Sequence, residues 1–182
     1  APGNNQYVYF AQTSYREEVD KDLTTGQLWV MEPVPGYAFP SSLEPAQSTK
    51  PGTWPEQWSR ALPLITPEWD GYWFGYFGRG VLNADVETFF VMDDSQDREW
   101  YRPPYSYQPI LGDATRGGLG LRMEVRAFQW SHVLAEDIIF FHYDIINISD
   151  TDYDSTLFGF YSDTGVGGLS DGADNANFNQ LL

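Results

Sequence analysis

Between Leu119 and Gly168, three apolar, aromatic segments are separated by acidic turns, and their periodicity predicts consecutive β-strands. In Leu119–Ala127 apolar and polar residues alternate, the pattern of a strand with one wet face. Asp137–Ser149 is nearly all apolar, which predicts a strand buried on both faces. Thr156–Asp163, after the turn Asp150–Asp154, predicts a third. Upstream, Val86–Met92 reads as a strand ended by Asp93 and Asp94, and Gln27–Met31 as another, opened by the turn Thr24–Gly26. Gln6–Ala11 is a short apolar stretch, followed by a charged segment from Tyr15 to Asp22. Past Ala127 the apolar phase shifts, because Phe128 and Trp130 take the positions that Arg122, Glu124 and Arg126 held; a β-bulge near Ala127 would produce that shift. No helical periodicity of useful length is present, and the one helix-like patch, Trp130 to Glu136, is short.

Proline and glycine divide the remainder. Eight of the twelve prolines fall between residues 33 and 68, where fixed φ and missing N–H donors predict irregular, extended chain rather than sheet interior. Trp54, Trp58, Leu62, Leu64, Ile65 and Trp69 in the same span need cover, so it is expected to lie as an ordered loop across the sheet. Asp97 to Arg116 is a second irregular segment, rich in Tyr and Pro. Hydrophobic residues at 42% are ample for a packed core, so disorder is not expected for most of the chain. The expected fold is all-β: an antiparallel β-sandwich, immunoglobulin-like or jelly-roll, with long ordered Pro- and aromatic-rich loops. Residues 1–39 are expected to form N-terminal strands or an arm. Residues 40–182 are expected to form the sandwich domain, incomplete at its C-terminus, in a chain that is a fragment or a processed product.

Charge narrows the partners. A net charge of −16, with only Lys21 and Lys50 as lysines, repels phosphate backbones and disfavours nucleic acid and anionic membranes. Divalent cations are the natural counterweight. No apolar run approaches the ~20 residues of a membrane-spanning helix. The absence of cysteine removes disulfides, thiolate metal sites and a cysteine nucleophile.

Candidate chemistry is sparse. Asp150, Asp152 and Asp154 have the spacing that opens a calcium loop, but Ser155 and Tyr161 occupy the positions of its glycine and glutamate, so solvated turn acids are expected there. Asp93, Asp94, Asp97 and Glu99 are expected to form a similar solvated acidic loop. The glycine-rich segment Asp163–Asn177 offers Asp163, Asp171, Asp174, Asn175 and Asn177 as oxygen donors on a backbone able to wrap a calcium ion. His142, with Asp144 two residues on and on the same strand face, is expected to be a hydrogen-bonded interior or interstrand histidine. His132 and Glu136 have i, i+4 spacing without the second histidine of a helical zinc site. No G-x-S-x-G elbow occurs, and no pair among the 26 acids is singled out for glycoside hydrolysis. Trp69, Tyr72, Trp73 and Tyr76, in a run with glycines at 71, 75, 78 and 80, could stack on sugar faces, although such runs more often pack a core.

The strings Asn83–Asp94, Arg116–Asp137 and Phe158–Gly168 resemble segments of large, uncharacterised secreted or cell-surface proteins from bacteria of the type IX secretion lineage and its relatives. The resemblance spans about residues 50–175 and brings no established reaction with it. It implies export, a β-sandwich region and membership of a longer multi-domain surface protein. It also implies calcium at loops with paired aspartates, and here the pair is Asp174-Asn175, one charge fewer. The expected role is a structural or adhesive module of an extracellular or cell-surface assembly, such as a filament or surface-layer subunit. Its partners would be other subunits or domains of that assembly. The lack of a catalytic set tips the reading against an enzyme without excluding one. The alternatives are a carbohydrate-binding module using Trp69, Tyr72, Trp73 and Tyr76, with polysaccharide as partner, and a non-catalytic fragment of a secreted hydrolase.

Overall fold

The computed structural model describes residues 9–13, 21–42, 44–62, 64–101 and 105–160. The Asp163–Asn177 loop, Gln6–Val8, most of the Tyr15–Asp22 segment and the end of the Thr156–Asp163 segment lie outside these. Among the described residues seven strands form antiparallel ladders and the only α-helix is a single turn, so their regular structure is mostly β. In chain order the strands are β1 (Glu32–Pro33), β2 (Ala46–Gln47), β3 (Phe74–Gly75), β4 (Gly78–Arg79), β5 (Val86–Asp93), β6 (Leu121–Gln129) and β7 (Phe140–Asn147); the helical turn α1 is Trp58–Ala61. The main sheet runs β1-β5-β6-β7, with β2 also on β5, while β3 and β4 pair separately. The chain divides into two units, Ala1–Thr151 and Asp152–Leu182, and all seven strands lie in the first. In the second, residues 152–160 are irregular, with Leu157, Phe158 and Phe160 exposed.

Three long strands carry the sheet, each a run of eight or nine residues unbroken by Pro or Gly. β5 alternates buried Glu87, Phe89 and Val91 with half-buried Val86, Thr88, Phe90 and Met92. The buried set faces an aromatic core of Tyr37, Ala46, Trp58, Leu62 and Trp73, flanked by Trp54, Trp69 and Phe74. The opposite face carries a smaller cluster of Met31, Met123 and Val125. Within the proline-rich span, Trp58 and Leu62 join the core that packs on β5. Two-residue strands, short 3₁₀ turns and α1 drop Trp58 and Leu62 into the core, and the Trp58 indole N–H donates to the Tyr72 carbonyl at 2.8 Å.

Several local expectations change. β6 and β7 exchange the roles their patterns suggest. The alternating strand β6 is central, with even Arg126 only 5% exposed, whereas the apolar strand β7 is the last of the sheet among the described residues and is exposed along both faces. Burial depends on neighbours supplied by distant sequence, and among the described residues β6 alone pairs with β7. No bulge interrupts β6, since its register with β5 runs without slip from Val86↔Gln129 to Asp93↔Arg122. One face of β6 simply changes from charged at Arg122 and Glu124 to apolar at Phe128, where the ring stacks on Trp130 at 6.1 Å. Residues 156–160 form no strand. The Gln27–Met31 strand is displaced to Glu32–Pro33, with only an isolated Lys21↔Leu28 bridge before it.

Candidate functional site

Tyr76 and Phe77 sit at the tip of a tight hairpin between β3 and β4. Gly75 must be glycine, since a Cβ there would lie 2.0 Å from the Val81 carbonyl oxygen, and Gly78 and Gly80 hold φ of 141° and 71°. The hairpin base is buried and the tip is not. Trp73 is 3% exposed and its indole N–H donates to the Glu87 carboxylate at 2.7 Å. Trp69 is half-buried, edge-on to Phe74 at 5.4 Å. Tyr72, Tyr76 and Phe77 are 54%, 47% and 66% exposed. The four aromatic residues expected to make a sugar platform are therefore split: Trp69 and Trp73 point inward, while Tyr72 and Tyr76 reach solvent. Phe77, which the sequence pattern does not single out, joins the outer set, together with Val81 and Leu82.

Buried charge holds this arrangement. Glu87 is fully buried and accepts hydrogen bonds from Trp73 and from the Asn83 and Ala84 N–H groups. The Arg126 guanidinium lies 4.7 Å from the rings of both Phe74 and Phe89 and donates to the Phe74 carbonyl at 2.6 Å. Burial pulls its pKa below the ordinary arginine value, and Glu87, Glu124 and Asp144 oppose that pull. Across the sheet Arg126 stands opposite His142 of β7, whose ring meets Tyr76 edge-on at 4.9 Å. His142 Nδ1 is 3.7 Å from the Asp144 carboxylate, too far for a hydrogen bond. The hairpin tip and β7 thus meet through the rings of Tyr76 and His142, and Val133, Leu134, Ile138, Ile139, Phe140, Phe141 and Ile145 are also exposed, with Phe141 and Ile145 on the strand face opposite His142. Stacking and apolar contact are within the reach of these side chains. A nucleophile activated by a bonded base is not among these described residues.

The acidic loop after β5 departs most from expectation. Asp94 is fully buried and Asp97 is 2% exposed, so these are not solvated turn acids. Asp94 accepts from the Leu119 and Leu121 N–H groups at 2.7 and 3.1 Å and from Arg116 at 2.7 Å, while Arg116 also bonds Asp93 at 2.9 Å. Gly118, at φ 68°, lets the backbone wrap this carboxylate, since a Cβ there would lie 2.3 Å from Asp94. Burial raises the Asp94 pKa despite the Leu119, Arg116 and Leu121 partners. Burial alone would also raise Asp93, but the Ser95 hydroxyl and N–H with Arg116 bring it below the ordinary value. The role is structural: a carboxylate clamp joining the ends of β5 and β6. Its sequence signal is the close Asp93-Asp94 pair with a later Arg-Gly-Gly.

The other candidates are dispersed. Asp150 accepts from the Leu111 N–H at 2.7 Å, and Asp152 and Asp154 are exposed. His132 and Glu136 lie in an exposed turn, where His132 accepts from the Leu134 N–H at 3.2 Å. Asp163, Asp171, Asp174, Asn175 and Asn177 lie outside the described residues. Among the described residues no group of three or more His, Asp or Glu is placed to hold a metal ion, and no helix is long and apolar enough to cross a membrane. A surface groove of about 310 Å³ runs between Val34–Pro40 and Pro55–Ala61, and no residue of the hairpin or of β7 lines it. No protein-family model matches the chain, and no curated protein or solved structure is significantly similar to it.

Proposed function

We propose that this chain is a non-catalytic structural or adhesive module of an extracellular or cell-surface assembly, of the filament or surface-layer kind, built as an antiparallel β-sandwich and engaged by other subunits or domains. The single observation that carries the reading is the run of exposed apolar side chains on β7 and the loop before it. So many exposed large apolar side chains on one strand and the loop before it support a contact region rather than a solvent face. The negative charge and the resemblance to exported proteins support a place outside the cell. The test uses intact producing cells and a membrane-impermeant amine reagent, for which Lys21 and Lys50 are the only lysine targets. Labelling on intact cells and release in particles heavier than the monomer are expected. A chain shielded from the reagent, or released as a strict monomer without a partner, would remove the proposal.

Carbohydrate binding is the second reading, favoured by the exposed rings of Tyr72, Tyr76 and Phe77 on one hairpin. Calcium binding at Asp163, Asp171, Asp174, Asn175 and Asn177 is proposed alongside either role. Adding calcium to chelated protein is expected to release or absorb heat and to raise the melting temperature. No heat and an unchanged melting temperature would dismiss the site.

A further inference from the structure

We infer that the hairpin tip of one copy seats in the groove between residues 34–40 and 55–61 of a second copy, with the Phe77 ring as its anchor. The inference stands on these two surfaces and holds whether or not the chain belongs to a surface assembly.

The tip is an aromatic knob. Phe77 is 66% exposed and meets Tyr76 edge-on, with ring centroids 5.0 Å apart. Beside them Tyr72 lies under the Arg79 guanidinium, which donates to the Glu68 carbonyl at 3.0 Å. An aromatic side chain entering an apolar pocket is the usual energetic centre of a protein interface.

The groove suits such a ring. Part of its lining belongs to the aromatic core: Tyr37 is 9% exposed and edge-on to Phe89 at 6.4 Å, and Val34 and Ala61 pack against the same cluster. Pro35 and Pro40 add exposed apolar walls. At about 310 Å³ the groove sits at the small end of the ~300–1,000 Å³ of ligand pockets, so it suits one or two side chains rather than an extended ligand. A ring placed there extends the edge-to-face series of Tyr37, Phe89 and Trp58. Arg60, also in the lining, supplies a cation that can lie over a ring face.

Charge names the occupant. Two chains of charge −16 repel, so copies meet where charge is scarce. Residues 71–83 contain one charged side chain, Arg79. Residues 34–42 contain none, and residues 55–61 contain Glu56 and Arg60, which cancel. The knob is therefore a slightly cationic patch on an acidic chain, and the groove is a neutral one. Each copy carries both halves of the contact, and no residue of the hairpin lines its own chain's groove. A second copy is the partner whose shape and charge fit both surfaces.

The experiment uses the whole chain in ~0.15 M salt, where a screening length of about 8 Å weakens the long-range repulsion. Sedimentation velocity between ~1 and ~100 µM is expected to show self-association. Phe77→Ala is expected to weaken it at least ~10-fold. Gln57→Arg is expected to do the same from the other side, by adding bulk and a second cation to the groove. The Gln57 side chain makes no capping bond to α1, so the helical turn does not depend on it. Both variants are checked for unchanged circular dichroism. An equimolar mixture of the two is expected to recover association, because the intact groove of the first receives the intact tip of the second. A wild-type monomer at ~100 µM, a variant that associates as wild type does, or a mixture that stays monomeric overturns the inference. A monomer still labelled on intact cells within a larger particle would leave the proposed function standing, whereas a self-associating chain shielded from the reagent would do the reverse.

Discussion

Replacing Trp73 with alanine is expected to remove about 3–5 kcal/mol of stability, read as a fall in the urea midpoint at unchanged slope. The indole is buried against Trp54 and Trp58, with ring centroids 5.8 and 6.0 Å away. Its loss opens a cavity in the aromatic core. It also strips the fully buried Glu87 of a hydrogen bond, and an unsatisfied buried carboxylate adds to the penalty. Tyr72→Ala, in the same run but exposed beside Arg79, is expected to stay within about 1 kcal/mol of wild type. The pair also separates the functional readings. If the hairpin binds polysaccharide, Tyr72→Ala and Tyr76→Ala should lose retardation in affinity electrophoresis while remaining folded. Retardation unchanged in both variants would exclude the sugar platform. Trp73→Ala losing less than about 1 kcal/mol would contradict its place in the core.

Arg116→Met is expected to destabilise the fold by about 3–5 kcal/mol at pH 7, because it leaves the buried Asp94 carboxylate without its cation. The deficit should shrink on acidification. Asp94 has a folded pKa above its unfolded value, so its contribution favours folding at low pH and is lost as pH rises through the folded pKa. Without Arg116 that pKa climbs further, so the variant gains more than wild type when Asp94 takes up a proton. Asp93 has the opposite sign. Its pKa is depressed in the fold, so its stabilisation is present above the unfolded value and lost as pH falls. Wild type loses that share in acid and the variant has less of it to lose. Urea unfolding of both proteins between pH 7 and pH 4 should therefore show converging midpoints. A gap that widens in acid would refute the role assigned to Asp94.

Much of the sheet is legible along the chain, because β5, β6 and β7 each contain enough consecutive β-formers for periodicity to mark them. The position of each strand in the sheet is not. Phe140–Asn147 reads as interior by composition, but its neighbours come from elsewhere in the fold, and no pattern within the strand encodes them. The carboxylate clamp was hidden for a similar reason. Asp94 looks like a turn acid until Arg116, 22 residues later, and the Gly117-Gly118 turn are brought to it. The aromatic run shows the limit of spacing: Trp73 and Tyr72 are adjacent, and the direction of each depends on where Glu87 and Trp58 lie. Residues 156–160 carry strand-forming side chains without forming a strand, since a ladder needs a partner as well as a propensity.

Arg126 has a consequence for whatever meets the hairpin. One guanidinium, wedged between two rings and bonded to the Phe74 backbone, fastens a four-residue ladder to the middle strand of a separate sheet. A tip so fastened cannot swing away to fit an incoming surface. Its rings are posed before contact, so little ordering entropy remains to be lost on association, and selectivity rests on shape already set.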